Sequence, residues 1–85
     1  MPKVEIYSSQ WCPFCVRAKM LLDSKQVEYT EIDVDAEPEQ RVLMMQRSQR
    51  RTVPQIFVGE THVGGCDDLF AMERQGQLDN LLAAE

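Results

Sequence analysis

The sequence predicts a small α/β fold in which one four-stranded mixed sheet carries helices on both faces. Three observations support this prediction. Short runs of alternating apolar and polar residues begin near residues 4, 27 and 55. Apolar residues recur at helical spacing between these runs. A glycine-containing turn follows the third run and leads into a return strand, so the predicted order is β-α-β-α-β-β-α.

A pair of cysteines, Cys12 and Cys15, lies where the first predicted strand gives way to the first predicted helix. Residues 4–7 alternate as a half-buried strand does, and residues 8–10 are typical of a polar loop. Pro13 suits the first turn of a helix, where its missing N–H sacrifices no hydrogen bond. The expected apolar side of this helix consists of Val16, Ala18, Met20, Leu21 and Leu22.

A second strand and a second helix should follow. Residues 27–35 place β-branched and aromatic residues between acids, which is typical of a strand. Because a helix connects the first two strands, they should lie parallel, with a right-handed connection. The second helix should begin at Glu37-Pro38-Glu39, with acids in its first turn. Its expected apolar side consists of Val42, Leu43, Met44 and Met45, with the methionines as core residues.

The last third of the sequence predicts a β-hairpin followed by two helices. Residues 55–63 contain two short strands, and Gly59 suits the positive φ of the turn between them. A third helix should follow with Cys66 or Asp67 near its N-cap. Gly76 is expected to interrupt this helix before a short terminal one.

Composition restricts the classes to which this protein can belong. With 85 residues, it is expected to form one domain, 1–85, around a single modest core. No apolar run approaches the roughly 18 to 20 residues that cross a bilayer, so no membrane association is expected. The N-terminal residues lack the apolar segment of a signal peptide, which predicts a reducing, cytoplasmic compartment.

Charge is unevenly distributed along the chain. The net charge is −5, which argues against a nucleic-acid binder, because such proteins carry a basic stripe that releases counterions from phosphate. Seven acidic residues lie between Asp23 and Glu39, and the next stretch holds four of the nine basic residues. These four are Arg41, Arg47, Arg50 and Arg51. Either a solvated helix face or a local anion site would account for them.

Cys12 and Cys15 are predicted to form a redox centre at the N-terminus of the first helix. The thiolate is the nucleophilic form of cysteine, and the free N–H groups and dipole of a helix N-terminus stabilise it. The spacing of three places Cys15 one turn further on, close enough for a disulfide and less exposed. Cys12 is therefore expected to attack and Cys15 to resolve.

Other uses of paired cysteines remain open at this point. A structural disulfide is disfavoured, because so short a loop constrains the unfolded chain least. A zinc site could use Cys12, Cys15, His62 and Cys66, but the second half lacks the tight two-residue spacing of zinc ligands.

Three motifs in order resemble the dithiol glutaredoxins, close to the bacterial glutaredoxin 3 type. They are Cys12-Pro13-Phe14-Cys15, Thr52-Val53-Pro54 and Gly64-Gly65-Cys66-Asp67-Asp68. The resemblance covers essentially the whole chain. It implies a thioredoxin fold without a permanently bound cofactor or metal, and a glutathione-dependent reductase of protein disulfides and of mixed disulfides with glutathione. It also implies a monomer whose partners are glutathione and oxidised or glutathionylated proteins, with ribonucleotide reductase as one candidate.

The resemblance also assigns residues to glutathione. Val53, before a cis Pro54, would hydrogen-bond the cysteinyl part through its backbone. Gly65, Cys66 and Asp67 would hold the γ-glutamyl end. The expected glutathione-binding set is Phe14, Arg47, Arg51, Thr52, Val53, Pro54, Gly65, Cys66 and Asp67.

Three positions depart from the family pattern. Phe14 replaces the commoner tyrosine and lacks its hydroxyl. Ser9 stands where many relatives have a lysine for the glycine carboxylate of glutathione, so Arg47, Arg50 or Arg51 is expected to replace that charge. Trp11 is more typical of thioredoxin, which leaves open a thioredoxin-like electron donor reduced by a flavoprotein reductase. A non-catalytic zinc or iron–sulfur module is the remaining alternative.

Overall fold

The computed structural model describes residues 2–84. These residues form four strands and four helices. In chain order the elements are β1 (Val4–Ser8), α1 (Pro13–Ser24), β2 (Thr30–Asp33), α2 (Pro38–Ser48), β3 (Gln55–Val58), β4 (Thr61–Gly64), α3 (Cys66–Arg74) and α4 (Gln77–Ala83). The predicted order is confirmed, with the short terminal helix as α4. None of the helices within residues 2–84 has the length and apolar character that crossing a membrane requires.

The strands form one mixed sheet in the order β2-β1-β3-β4. β1 and β2 are parallel, as their helical connection predicts, and β1 is antiparallel to β3 with Ile6 opposite Ile56. β3 and β4 form the predicted hairpin, in which Phe57 lies opposite His62. Because β1 and β3 are antiparallel neighbours, the C-terminal end of β1 and the N-terminal end of β3 lie at the same end of the sheet. The loops at residues 9–12 and 49–54 therefore meet there.

Each face of the sheet has its own core, because successive strand residues point to opposite faces. Ile6 and Ile56 lie on the face covered by α1, α3 and α4. The helical residues packed there include Ala18, Leu22, Leu69, Leu78 and Leu82. The opposite face, covered by α2, buries Tyr7, Val34, Met44 and Phe57. The prediction of helices on both faces is confirmed.

Two helices bury fewer apolar residues than the sequence predicts. Val16 and Met20 of α1 are 51% and 63% exposed, and Val42 and Leu43 of α2 are 50% and 40% exposed. The prediction that these four pack in the core is wrong. The sheet covers only a narrow stripe of each helix, and the positions beside that stripe face outwards. The buried residues of α1 are Cys15, Ala18 and Leu22.

The start of α3 agrees with the prediction, since Cys66 and Asp67 directly follow the N-cap residue Gly65. The Asp68 carboxylate accepts a hydrogen bond from the Gly65 N–H at 2.9 Å. A glycine has no side chain with which to cap, so the acid three residues later provides the contact. The second strand is shorter than predicted, at Thr30–Asp33.

Candidate functional site

Cys12 and Cys15 lie at the N-terminus of α1. Cys12 is the N-cap residue with an extended backbone, and Pro13 occupies the first turn, as predicted. The two sulfurs are at disulfide-bonding distance, with Cα atoms 5.2 Å apart. Cys12 is half-buried, whereas Cys15 is only 1% exposed. The two cysteines are therefore unequal, and Cys12 is the one that solvent can reach.

The start of α1 directs a backbone N–H donor towards the Cys12 sulfur. The Cys15 N–H donates towards the Cys12 Sγ at 3.1 Å. The first turn of α1 contains no acidic residue that would oppose the helix dipole. A negative sulfur at Cys12 would be stabilised by this geometry, which favours the nucleophilic thiolate.

The loop before β3 forms a second wall of the site. The Val53–Pro54 peptide bond is cis, as the family resemblance implies. The carbonyl oxygen of Val53 lies 3.9 Å from the Cys12 Sγ. The loop therefore presents its backbone directly beside the reactive sulfur.

A groove of about 310 Å³ extends from this loop to the start of α3. Its lining residues are Phe14, Arg50, Thr52, Val53, Pro54, Gly65, Cys66, Asp67 and Asp68. The structure thus brings together the residues predicted for glutathione, with the exception of Arg47 and Arg51. Arg50 and Asp68 line the groove although the predicted binding set omits them.

The three arginines near the end of α2 lie in different places. Arg50 lines the groove. Arg47 instead donates hydrogen bonds to the Tyr7 hydroxyl at 2.8 Å and to the Glu5 carboxylate at 3.2 Å. Arg51 is exposed and lies outside the groove. Arg50 is therefore the member of this run with direct access to a ligand in the groove.

Asp68 holds two partners at the rim of the groove. Its Oδ2 accepts hydrogen bonds from Arg50 Nη1 at 2.8 Å and from the Gly65 N–H at 2.9 Å. The Arg50 guanidinium, and then the Gly65 amide, hold the pKa of the Asp68 carboxyl below its usual value. The sequence signal for this contact was an acid three residues after the N-cap position.

Cys66 lies at the base of the groove with its thiol buried. Burial raises the pKa of the Cys66 thiol, so its neutral form is favoured. A neutral, packed thiol agrees with the sequence interpretation of Cys66 as a packing residue or backbone contact.

A second groove of about 450 Å³ lies beside Cys12 and includes Ser9 and Trp11. Trp11 is 95% exposed. Glu31 at this groove is bonded to the Lys19 ammonium at 2.8 Å, and the pKa of the Glu31 carboxyl is lowered chiefly by that contact. Ser9 and Trp11 therefore lie on this side of the sulfur, whereas Phe14, the third position that departs from the family pattern, lines the groove on the other side.

The zinc alternative is not favoured by the arrangement of its candidate ligands. Among residues 2–84, no three His, Cys, Asp or Glu side chains come together as a metal site. His62 Nε2 instead lies 2.7 Å from Gln55 Oε1.

Known proteins resemble this chain in sequence over almost its whole length. A family profile described as Glutaredoxin matches residues 4–63. A glutaredoxin of Pseudomonas aeruginosa is 56% identical over 84 residues, which cover 99% of this chain and 100% of that relative. Glutaredoxin 3 of Escherichia coli is 51% identical over 82 residues, which cover 96% of this chain and 99% of that relative.

Solved structures show the same relationship. The solution structure of a glutaredoxin from Brucella melitensis matches with a TM-score of 0.85 and 56% identity, covering 96% of this chain and 89% of that one. A buckwheat glutaredoxin–glutathione complex matches with a TM-score of 0.88 and 32% identity, covering 95% of this chain and 76% of that one.

Proposed function

The chain belongs to the glutaredoxin family, and on that premise we propose how its residues perform glutathione-dependent thiol–disulfide exchange. Cys12 is the nucleophile and Cys15 the resolving thiol. The groove between the Thr52–Pro54 loop and α3 receives glutathione. The observation that carries this proposal is the half-buried Cys12 sulfur, which faces the Cys15 N–H and lies beside that groove.

Reduction of a protein disulfide proceeds in two exchanges. The Cys12 thiolate attacks one substrate sulfur, so a mixed disulfide forms and the other substrate sulfur leaves as a thiolate that takes a proton. Cys15 then loses its proton and attacks the Cys12 Sγ. The internal disulfide forms and the second substrate thiol is released. Two electrons have passed from the dithiol to the substrate.

Glutathione restores the dithiol by the same chemistry. One glutathione thiolate attacks the internal disulfide, which leaves glutathione bonded to Cys12 and frees Cys15. A second glutathione attacks the bound glutathione sulfur, releasing the Cys12 thiolate and glutathione disulfide. With a glutathionylated protein, the Cys12 thiolate attacks the glutathione sulfur, the protein sulfur leaves as a thiolate that takes a proton, and the same mixed disulfide between Cys12 and glutathione forms. Reduction of a glutathionylated protein therefore does not require Cys15.

The groove offers separate contacts for the cysteinyl and γ-glutamyl parts of glutathione. The Val53 backbone can pair with the cysteinyl part as a short added strand, which would hold its sulfur near Cys12. The Cys66 and Asp67 N–H groups at the start of α3 can receive the γ-glutamyl carboxylate, while the Gly65 N–H donates to Asp68.

Asp68 joins the Arg50 guanidinium to the Gly65 N–H, so Arg50 lies at the same end of the groove, and we assign it to the γ-glutamyl carboxylate as well. The sequence-based assignment of the glycine carboxylate to Arg47, Arg50 or Arg51 stays a prediction.

We also propose a monomer that acts in the cytoplasm on disulfide-containing and glutathionylated proteins, with ribonucleotide reductase as one candidate. The redox chemistry supports the compartment, because a dithiol that is recycled by glutathione needs a reducing glutathione pool. Turnover of oxidised ribonucleotide reductase would test the partner directly.

One assay tests the proposed function. The protein is supplied with NADPH, glutathione and glutathione reductase, and reduction of a mixed disulfide between glutathione and a small thiol is followed. We expect turnover that saturates with glutathione. Turnover only with a flavoprotein thioredoxin reductase would instead identify a thioredoxin-like donor.

A further inference from the structure

A buried glutamine lies directly beneath the Thr52–Pro54 loop. Gln55 is the first residue of β3 and is fully buried. Its Nε2 lies 3.0 Å from the Thr52 carbonyl oxygen and 3.4 Å from the Thr52 Oγ1. Its Oε1 lies 2.7 Å from His62 Nε2 on the neighbouring strand β4. Both ends of this buried amide are therefore bonded, one to the loop and the other to the sheet.

The chemistry of these atoms determines the direction of each hydrogen bond. A backbone carbonyl can only accept, so the Gln55 NH₂ group must face Thr52. The Gln55 Oε1 then faces His62 and needs a donor, which requires a hydrogen on His62 Nε2. Burial, together with the nearby Arg50 guanidinium, lowers the pKa of His62, which favours the neutral ring. Neutral His62 therefore carries its proton on Nε2.

His62 is itself held in place by aromatic packing. Its ring stacks on Phe57 with centroids 4.9 Å apart and an interplanar angle of 28°. Phe57 in turn is 2% exposed and lies 4.0 Å below the Arg47 guanidinium. The His62 donor is thus attached to the rigid core on the α2 face of the sheet.

We propose that Gln55 and His62 are positioning residues, which connect the core of the sheet to Thr52 and so place the adjoining Val53 backbone beside Cys12. The loop touches Gln55 through Thr52, and the next residue presents its carbonyl 3.9 Å from the Cys12 Sγ. A relation to glutathione turnover rests on the proposed function, in which Val53 binds the cysteinyl part. The position of the loop does not depend on it.

The test replaces Gln55 and His62 separately, each by a side chain of similar size that lacks the hydrogen-bond donor. Gln55→Glu keeps the length of the side chain, and its ionised carboxylate cannot donate to the Thr52 carbonyl. Because burial raises the pKa of the new carboxyl and the protonated form could donate, the variant is measured at a pH above that titration. His62→Phe keeps a flat ring against Phe57 and removes the donor. Val58→Ala is the matched control, because Val58 is buried in the same strand at its far end, away from the loop.

The backbone amide resonances of Thr52 and Val53 in nuclear magnetic resonance spectra report the placement of the loop. We expect these resonances to shift in Gln55→Glu and in His62→Phe, but to keep their wild-type positions in Val58→Ala. His62→Gln retains an N–H donor and should restore part of the wild-type spectrum. Wild-type resonances in both loop variants would overturn the proposal. If Gln55→Glu does not fold, His62→Phe decides the question in the same way.

Steady-state kinetics measures whether glutathione uses this loop. The KM for glutathione should rise about fivefold in Gln55→Glu, with kcat within about twofold of the wild type. Shifted loop resonances with an unchanged KM would contradict the proposed glutathione site and leave the positioning of the loop by Gln55 and His62 intact.

Nuclear magnetic resonance of His62 gives a further test that requires no variant. The nitrogen chemical shifts of the wild-type ring should report the neutral tautomer protonated on Nε2. The tautomer protonated on Nδ1 would leave Gln55 Oε1 without its donor and would overturn the pairing.

Discussion

The N-termini of α1 and α3 both face the redox site, yet they carry opposite chemistry. Each presents free N–H groups and the positive end of a helix dipole. In α1, the N-cap is Cys12 and the first turn contains no acid. In α3, the N-cap is Gly65 and the first turn contains Asp67 and Asp68.

The difference shows that the side chains of the first turn determine whether a helix N-terminus stabilises a reactive thiolate or only binds a ligand. The start of α1 has no carboxylate to neutralise it, so it favours a negative sulfur at Cys12. The start of α3 is partly neutralised by Asp68, which occupies the Gly65 N–H and also pairs with Arg50. One terminus is therefore reactive, while the other is capped and can take part only in binding.

Removal of the thiol at the α1 terminus should have the largest effect. Cys12→Ser should abolish every activity, since no mixed disulfide can form without its thiolate. Cys15→Ser should prevent reduction of protein disulfides that need an internal resolving thiol. It should preserve removal of glutathione from a glutathionylated thiol. Parallel assays with a protein disulfide and a glutathionylated peptide would measure both effects.

These two variants control for one another, because each removes one sulfur from the same turn. Deglutathionylation that survived in Cys12→Ser and disappeared in Cys15→Ser would reverse the roles. The difference in exposure between the two cysteines would then be irrelevant to catalysis.

Removal of the cation beside the α3 terminus should have a moderate effect. Arg50→Ala should raise the KM for glutathione about fivefold, equivalent to an interaction of about 1 kcal/mol, with less effect on kcat. Arg51→Ala removes the same charge outside the groove, so a smaller rise in that variant would locate the contact at Arg50, whereas an equal or larger rise would support the sequence-based assignment to Arg51. Unchanged kinetics when Arg47, Arg50 and Arg51 are all replaced would identify the basic run as a solvated surface.

An acid added to α1 should make its terminus resemble that of α3. Val16 is exposed near the first turn, so Val16→Glu would leave the core intact. Its negative charge would counteract the positive end of the helix dipole and destabilise the Cys12 thiolate. The midpoint of Cys12 alkylation, measured in a Cys15→Ser background, should rise by about 0.2 to 0.7 pH units. Val16→Gln has the same size without the charge and should leave it unchanged. A rise that persists at high salt would contradict an electrostatic origin.

Removal of the carboxylate at the α3 terminus should have the smallest effect, and it should depend on pH. The pKa of Asp68 is lowered in the folded state, so its contribution to stability is present above about pH 4 and disappears as pH falls through the lowered value. Asp68→Asn should therefore be less stable than the wild type near neutral pH, and the two should converge in acid. Denaturant unfolding at several pH values would measure this.

Asp67→Asn is the control for that prediction. It removes a charge from the same turn, but Asp67 has no hydrogen-bond partner like Arg50 among residues 2–84. An equal pH dependence in both variants would assign the effect to net charge instead of to the Asp68 contacts.

The order of the elements and the placement of the redox pair followed from the sequence alone. Strand alternation, helical spacing and Pro13 act over distances of a few residues, so they are visible as local patterns. The position of Cys12 at a helix N-terminus is such a pattern. Glycine at the β3–β4 turn is another, since Gly59 adopts the predicted positive φ of 60°.

Tertiary structure decided which side chains reach the groove. The sequence placed Arg47 and Arg51 in the binding set, whereas Arg50 lines the groove. Arg47 finds its partners on β1, at Tyr7 and Glu5, which are 40 and 42 residues away in sequence. Such contacts depend on the order of strands in the sheet, which no local spacing encodes.

Contacts between distant parts of the chain also determined which helical residues are buried and what supports the Thr52–Pro54 loop. Val16 and Met20 match a helical apolar pattern but lie beside the stripe of α1 that the sheet covers. The bond between Gln55 and His62 exists because β3 and β4 pair in a particular register. Local interactions therefore determined the elements and the reactive thiol, whereas the packing of distant strands determined the groove that serves it.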